Sequence, residues 1–153
     1  MVKALVVYDS MYGNTEKVAK ALAVGLESGT VKVDIVKADT VKFDDLTTVD
    51  LLCVGSPVHA WSASKPVKEF LERLKSIKGL TGKKAFAFDT KFSESRIAGS
   101  AGRKIEKKLK DLGFIIVKPS ESGMVKGWKG PLAESVEETF KQIGVELAKY
   151  CRT

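Results

Sequence analysis

The sequence predicts a doubly wound α/β domain built on a parallel sheet of five strands. Three observations predict it. Short apolar runs alternate with amphipathic stretches of helical period along the whole chain. The connections between them are brief, with no internal repeat, low-complexity tract or linker. The length, 153 residues, suits one well-buried core and is short for two, so residues 1–153 are read as one domain. Strands that alternate with helices need right-handed crossovers, which put helices on both faces of a parallel sheet.

The first strand is "KALVVY" (3–8), apolar on both faces and therefore buried. "NTEKVAKALAVGLESG" follows as an amphipathic helix closed by Gly29. "VKVDIV" (31–36) alternates as a strand does, with valine and isoleucine on one side. "DLLCVGS" (50–56) is a second fully buried strand, and "KPVKEFLERLKSI" a helix whose Pro66 suits a first turn. "KKAFAFD" (83–89) is the fourth strand, "GSAGRKIEKKLKDLG" the third helix and "FIIVK" (114–118) the fifth strand. A last amphipathic helix runs near 131–151, opened by Pro131.

Composition narrows the function classes. Two cysteines, Cys53 in an apolar run and Cys151 near the end, read as free thiols rather than a disulfide framework. One histidine and no cysteine pair leave no zinc spacing, so no metal is expected. No apolar run is long enough to cross a bilayer, and Val2 to Val7 is too short and wrongly flanked for a secretory signal. A cytoplasmic location is the expectation, with no membrane partner.

The net charge of +7 is uneven: residues 65–130 carry 17 Lys and Arg against 7 Asp and Glu, the remainder 9 against 12. A basic half steers acidic proteins, anionic ligands or nucleic acid. In its densest stretch, however, Ile105, Leu109 and Leu112 fall at helical spacing with the lysines on the other faces. That is the pattern of a solvated helix. Without an aromatic-plus-basic signature, nucleic acid is not an expected partner.

Ligands of such sheets lie beyond the carboxyl ends of the strands, at the switch point beside the first strand. Three loops qualify: 9–15, 56–65 and 89–99. In the first, a helix beginning near Thr15 leaves amide donors unpaired and partly positive. Gly13 lets the backbone turn tightly and bring those donors to an anion. Ser10, Asn14 and Thr15 add side-chain donors, so a compact phosphate could be surrounded without Lys or Arg. The three glycines of a dinucleotide loop and the lysine motif of nucleotide triphosphate loops are absent, leaving a terminal monophosphate. A plain helix cap at Asn14 or Thr15 accounts for the same residues, and position after the first strand favours the phosphate.

The loop, Ser10-Met11-Tyr12-Gly13-Asn14-Thr15, resembles the phosphate loop of the flavodoxin family, Ser/Thr-x-Ser/Thr-Gly-x-Thr, with Tyr12 where a hydroxyl residue is commoner. The "DSMYGNTEKVA" form is similar to short archaeal-type flavodoxins and to the flavodoxin domain of flavodiiron proteins. The resemblance covers essentially the whole chain. It implies strand order 2-1-3-4-5, FMN as cofactor, and a low-potential electron carrier between redox proteins. On the basic surface, those partners would present acidic docking surfaces.

The resemblance also assigns residues. Ser56, Pro57, Val58, His59, Ala60 and Trp61 would border the flavin on one side. Asp89, Thr90, Lys91 and Phe92 would meet its pyrimidine edge and other face, with Phe92 or a neighbour stacking. Two departures matter. Ala60 stands where the family carries a glycine whose peptide flips on reduction, so the one-electron-reduced state should be less stabilised. Lys91 in a basic surface should raise the second reduction potential above that of acidic relatives. Two alternatives stay open: an FMN-dependent NAD(P)H- or quinone-linked oxidoreductase, and a module without flavin that acts through its basic face.

Overall fold

The alternation of apolar side chains along the central strands decides which helix packs where. The computed structural model describes residues 2–58, 62–92 and 100–152. Along β1 (Lys3–Tyr8), β3 (Leu51–Pro57) and β4 (Lys84–Lys91), one set of side chains faces each layer. Val6, Tyr8, Cys53, Phe86 and Phe88 meet α1 (Asn14–Ser28) and α4 (Val136–Cys151) through Val18, Leu22, Leu26, Phe140 and Leu147. Leu5, Val7, Leu52, Val54, Ala85 and Ala87 meet α2 (Lys65–Leu74) and α3 (Ala101–Asp111) through Val67, Phe70, Leu74, Ile105 and Leu109. Two cores thus sandwich one sheet.

The order is β2-β1-β3-β4-β5, with β2 Lys32–Lys37 at one edge and β5 Ile115–Ile116 at the other, as the resemblance implies. Every named strand pair is parallel. Gly29 ends α1: its amide donates to the Leu26 carbonyl and the Thr30 amide to the Glu27 carbonyl. Pro66 sits in the first turn of α2. Both match the expectation from sequence. Cys53 is fully buried and Cys151 half-buried; both are free thiols. Burial pushes both thiol pKa values up, so neither carries a reactive thiolate at neutral pH. Among the described residues no helix is long and apolar enough to cross a membrane.

Three boundaries differ from the expectation. A 3-10 helix, Phe43–Thr48, precedes β3 and buries Leu46. The fifth strand is not continuous over 114–118: Ile115 and Ile116 pair with the start of β4, and a separate β6, Glu121–Met124, pairs with its end. Pro119, which has no amide to donate, lies in the break. The last helix starts at Val136 rather than Pro131. Pro131 instead belongs to a turn, where its carbonyl accepts from the Lys126 amide at 2.8 Å. Parallel pairing of β6 with β4 carries this turn to the carboxyl edge of the sheet.

Candidate functional site

The register aligns the ends of three strands. Tyr8 lies opposite Gly55, Ser56 opposite Asp89, and Thr90 opposite Gly123. The loops that follow β1, β3 and β4 therefore leave the sheet side by side. The Val58 amide donates to the Thr90 carbonyl at 3.0 Å, extending that alignment past the last strand residue.

In the first loop Gly13 adopts φ +89 and forms the N-cap of α1. This is left-handed backbone, available to glycine without the strain a Cβ brings. A Cβ there would meet nothing within 4 Å, so the space above the turn is open. The Gly13 amide is already engaged, donating to Ser10 Oγ at 3.0 Å. The amides of Asn14, Thr15 and Glu16 have no acceptor among the described residues. Three converging donors at a helix start make a ready anion site.

The side-chain donors expected there are partly committed elsewhere. Asn14, buried, gives an Nδ2 hydrogen to the Lys129 carbonyl at 3.1 Å. Thr15 Oγ1 lies 2.7 Å from Thr90 Oγ1, one hydroxyl donating to the other, which ties the first loop to the end of β4. Met11 and Tyr12 are exposed. Below the loop, the buried Tyr8 hydroxyl donates to Glu16 Oε1 at 2.8 Å and pins the first turn of α1 to β1.

That pin has a pH signature. Desolvation, then the bond to the Glu16 carboxylate and its charge, push the Tyr8 phenol up to about 12. Glu16 is held below the ordinary carboxylate range by the Tyr8 bond first and Lys20 second. Tyr8 thus favours the fold as the neutral phenol. Its contribution is whole below pH 10, the ordinary tyrosine value, and is lost as pH rises through about 12. An ultraviolet titration should show a phenol near pH 12 that disappears in Tyr8→Phe. If the phenol lost in that variant is instead one that titrates near pH 10, the pin is absent.

The second loop opens at Ser56, which is fully buried; its Oγ accepts from the Ser64 amide at 2.9 Å and donates to the Pro57 carbonyl at 2.8 Å. These bonds draw the two ends of the loop together. Pro57 and Val58 are partly exposed, and Val58 packs against the α2 side of the core. His59, Ala60 and Trp61 lie outside the described residues.

In the third, Asp89 is fully buried, with Oδ2 accepting from the Gly102 amide at 2.8 Å and from Ser100 Oγ at 3.1 Å. It caps the start of α3 from the neighbouring strand. Its Oδ1 is buried and without a hydrogen-bond partner among the described residues. Thr90 is buried, Lys91 half-buried and Phe92 63% exposed.

Sequence reasoning missed one contributor. The turn after β6 brings Lys129 and Gly130 onto Asn14, and the Lys129 ammonium stands 5.8 Å from the centre of the Tyr12 ring. Trp128 beside it is 78% exposed. The sequence signal was the bracketed turn Gly127-Trp128-Lys129-Gly130-Pro131, but nothing in it names a partner 115 residues away. A cavity of about 420 Å³ lies elsewhere, lined by Lys68, Leu71, Lys104 and Ile105 of α2 and α3, and includes no residue of the first loop.

The family model described as Flavodoxin matches residues 6–143. A probable flavodoxin 2 from Bacillus subtilis is 29% identical over 154 residues, covering 97% of this chain and 96% of its own. A solved flavodoxin from the domain Archaea superposes with a TM-score of 0.83 at 24% identity, covering 99% of this chain and 100% of that one. The flavodiiron protein from Giardia intestinalis, with a TM-score of 0.80 at 24% identity, covers 98% of this chain, which spans 37% of it. The chain therefore belongs to the flavodoxin family, proteins that bind FMN and transfer electrons between redox partners.

Proposed function

We propose that residues 1–153 form a single FMN-binding domain that serves as a low-potential electron carrier between redox proteins with acidic docking surfaces. The first loop carries the proposal. The free amides of Asn14, Thr15 and Glu16 suit a phosphate ester, and the open space over Gly13 gives it room. When bound, FMN supplies the redox chemistry, and the protein's task is to hold, orient and tune it.

The remaining residues divide that task. Ser10 and Gly13 shape the turn, and Thr15 with Thr90 locks it to β4. Met11, Tyr12 and Asn14 line the same loop, and Ser56 draws its loop closed beside it. Pro57, Val58, His59, Ala60 and Trp61 on one side, and Asp89, Thr90, Lys91 and Phe92 on the other, are proposed to border the flavin. Asp89 sets the start of α3, and Lys91 adds a positive charge at the carboxyl edge that favours a negatively charged partner group. The net charge of +7 supports docking to acidic proteins.

The purified protein should take up one equivalent of added FMN, quenching its fluorescence. After chemical reduction it should pass electrons to an acidic acceptor protein at a rate that falls as salt rises. A chain that leaves FMN fluorescence unchanged sinks the proposal, and a salt-independent rate removes its acidic partner. Steady NAD(P)H consumption would instead support the oxidoreductase alternative.

A further inference from the structure

The first loop leaves an electrostatic problem. A phosphate monoester carries between one and two negative charges at neutral pH, whereas a helix start offers the equivalent of about half a positive charge. Residues 10–15 include no lysine or arginine. The geometry points to Lys129 as the missing cation: it pairs with the terminal phosphate of FMN, delivered by a turn built to dock on this loop. The inference rests on the FMN reading above.

Four observations carry it. The turn is closed by the Gly130 amide on the Gly127 carbonyl at 3.2 Å and the Lys126 amide on the Pro131 carbonyl at 2.8 Å. It is tethered to the phosphate loop, since Asn14, the first residue of α1, donates to the carbonyl of Lys129 itself. The seat is close enough to demand glycine: Gly130 sits at φ +113, and a Cβ there would fall 2.8 Å from Asn14 Oδ1 and 2.9 Å from Nδ2. Finally, the ammonium of Lys129 lies over the ring of Tyr12, next in sequence to Gly13, with no carboxylate partner among the described residues. Lys126, in the same turn, is different: it pairs with Glu134 at 3.7 Å.

A lysine resting on a tyrosine needs no ligand, because the ring face attracts a cation by itself. What separates the two accounts is whether the charge acts on the phosphate. Riboflavin shares the ring system and ribityl chain of FMN and lacks only the phosphate, so it serves as the comparison ligand.

Binding of FMN and riboflavin should be followed by flavin fluorescence in the wild type, Lys129→Ala, Lys129→Glu, Lys129→Arg and Lys126→Ala, at low and high salt. Lys129→Ala should weaken FMN about five- to thirtyfold, the range of one charge-assisted contact. It should leave riboflavin unchanged and flatten the salt dependence of FMN binding. Lys129→Glu should weaken FMN further, Lys129→Arg should restore it, and Lys126→Ala should stay within about twofold of the wild type. Wild type that prefers FMN, with Lys129→Ala binding it equally well, overturns the role of Lys129 alone. A parallel loss of riboflavin overturns it too, by making the residue structural. Wild type that does not discriminate between the two flavins overturns the phosphate loop reading, and Lys129 with it.

Discussion

Gly25→Ala should lower the unfolding free energy by about 3 kcal/mol, which for a chain of this size is a fall in Tm of roughly 6–12 °C. Helices α1 and α4 cross at Gly25 and Gly144. A Cβ on Gly25 would run into the Lys141 carbonyl oxygen and approach Gly144 Cα to 2.9 Å. A Cβ on Gly144 would meet the Leu22 carbonyl, with Leu26 N at 2.8 Å. These neighbours are backbone and cannot rotate away, so a whole helix must move, and the packing of Leu22, Leu26, Phe140 and Leu147 moves with it. The better helix propensity of alanine offsets about 1 kcal/mol of a larger clash. Val24→Ala, one residue away and 49% exposed, should stay within about 0.5 kcal/mol of wild type. Chemical denaturation checks both. Equal midpoints for Gly25→Ala and the wild type would show that the helices do not cross this closely.

The second large effect concerns binding. Gly13→Val should reduce FMN affinity at least about a hundredfold while the protein stays folded. At φ +89 a β-branched residue is strongly disfavoured, so the turn relaxes and the amides of Asn14, Thr15 and Glu16 change direction. Each charge-assisted bond lost is worth about 1.5–3 kcal/mol; two of them exceed a hundredfold. The cost to the fold is smaller, about 1–2 kcal/mol of backbone strain, because a Cβ at this position meets nothing within 4 Å. Circular dichroism and flavin titration together separate the two quantities. Undiminished FMN affinity in folded Gly13→Val would mean the amides are not what holds the phosphate.

Much of this site was legible without coordinates because it depends on local signals. Gly13 announces the turn, and the amphipathic run from Asn14 announces the helix whose amides it exposes. The short continuous apolar runs of β1, β3 and β4 announce strands buried on both faces, and such strands carry their loops to one edge. Where local signals were weak, the reading went astray. β6, "ESGM", has no apolar alternation. It is held by pairing with β4, and at Gly123 a Cβ would come within 3.1 Å of Val136 and 3.2 Å of Val18. Pro131 looked like a helix opener, a role Pro66 fulfils, because proline suits a turn and a first helical position equally well.

The period and punctuation of the chain, by themselves, determined the doubly wound sheet, its helices and the glycine turn that leaves amides open at the start of α1. Those features arise from residues within a few positions of one another. Only the tertiary structure decided which donors in that loop are spent on distant partners: one hydrogen of Asn14 on Lys129, Thr15 with Thr90. It also decided that a lysine from the far side of the sequence stands over Tyr12. Such pairings depend on strand register and on glycines that let two backbones approach, and neither leaves a trace in the spacing of residues along the chain.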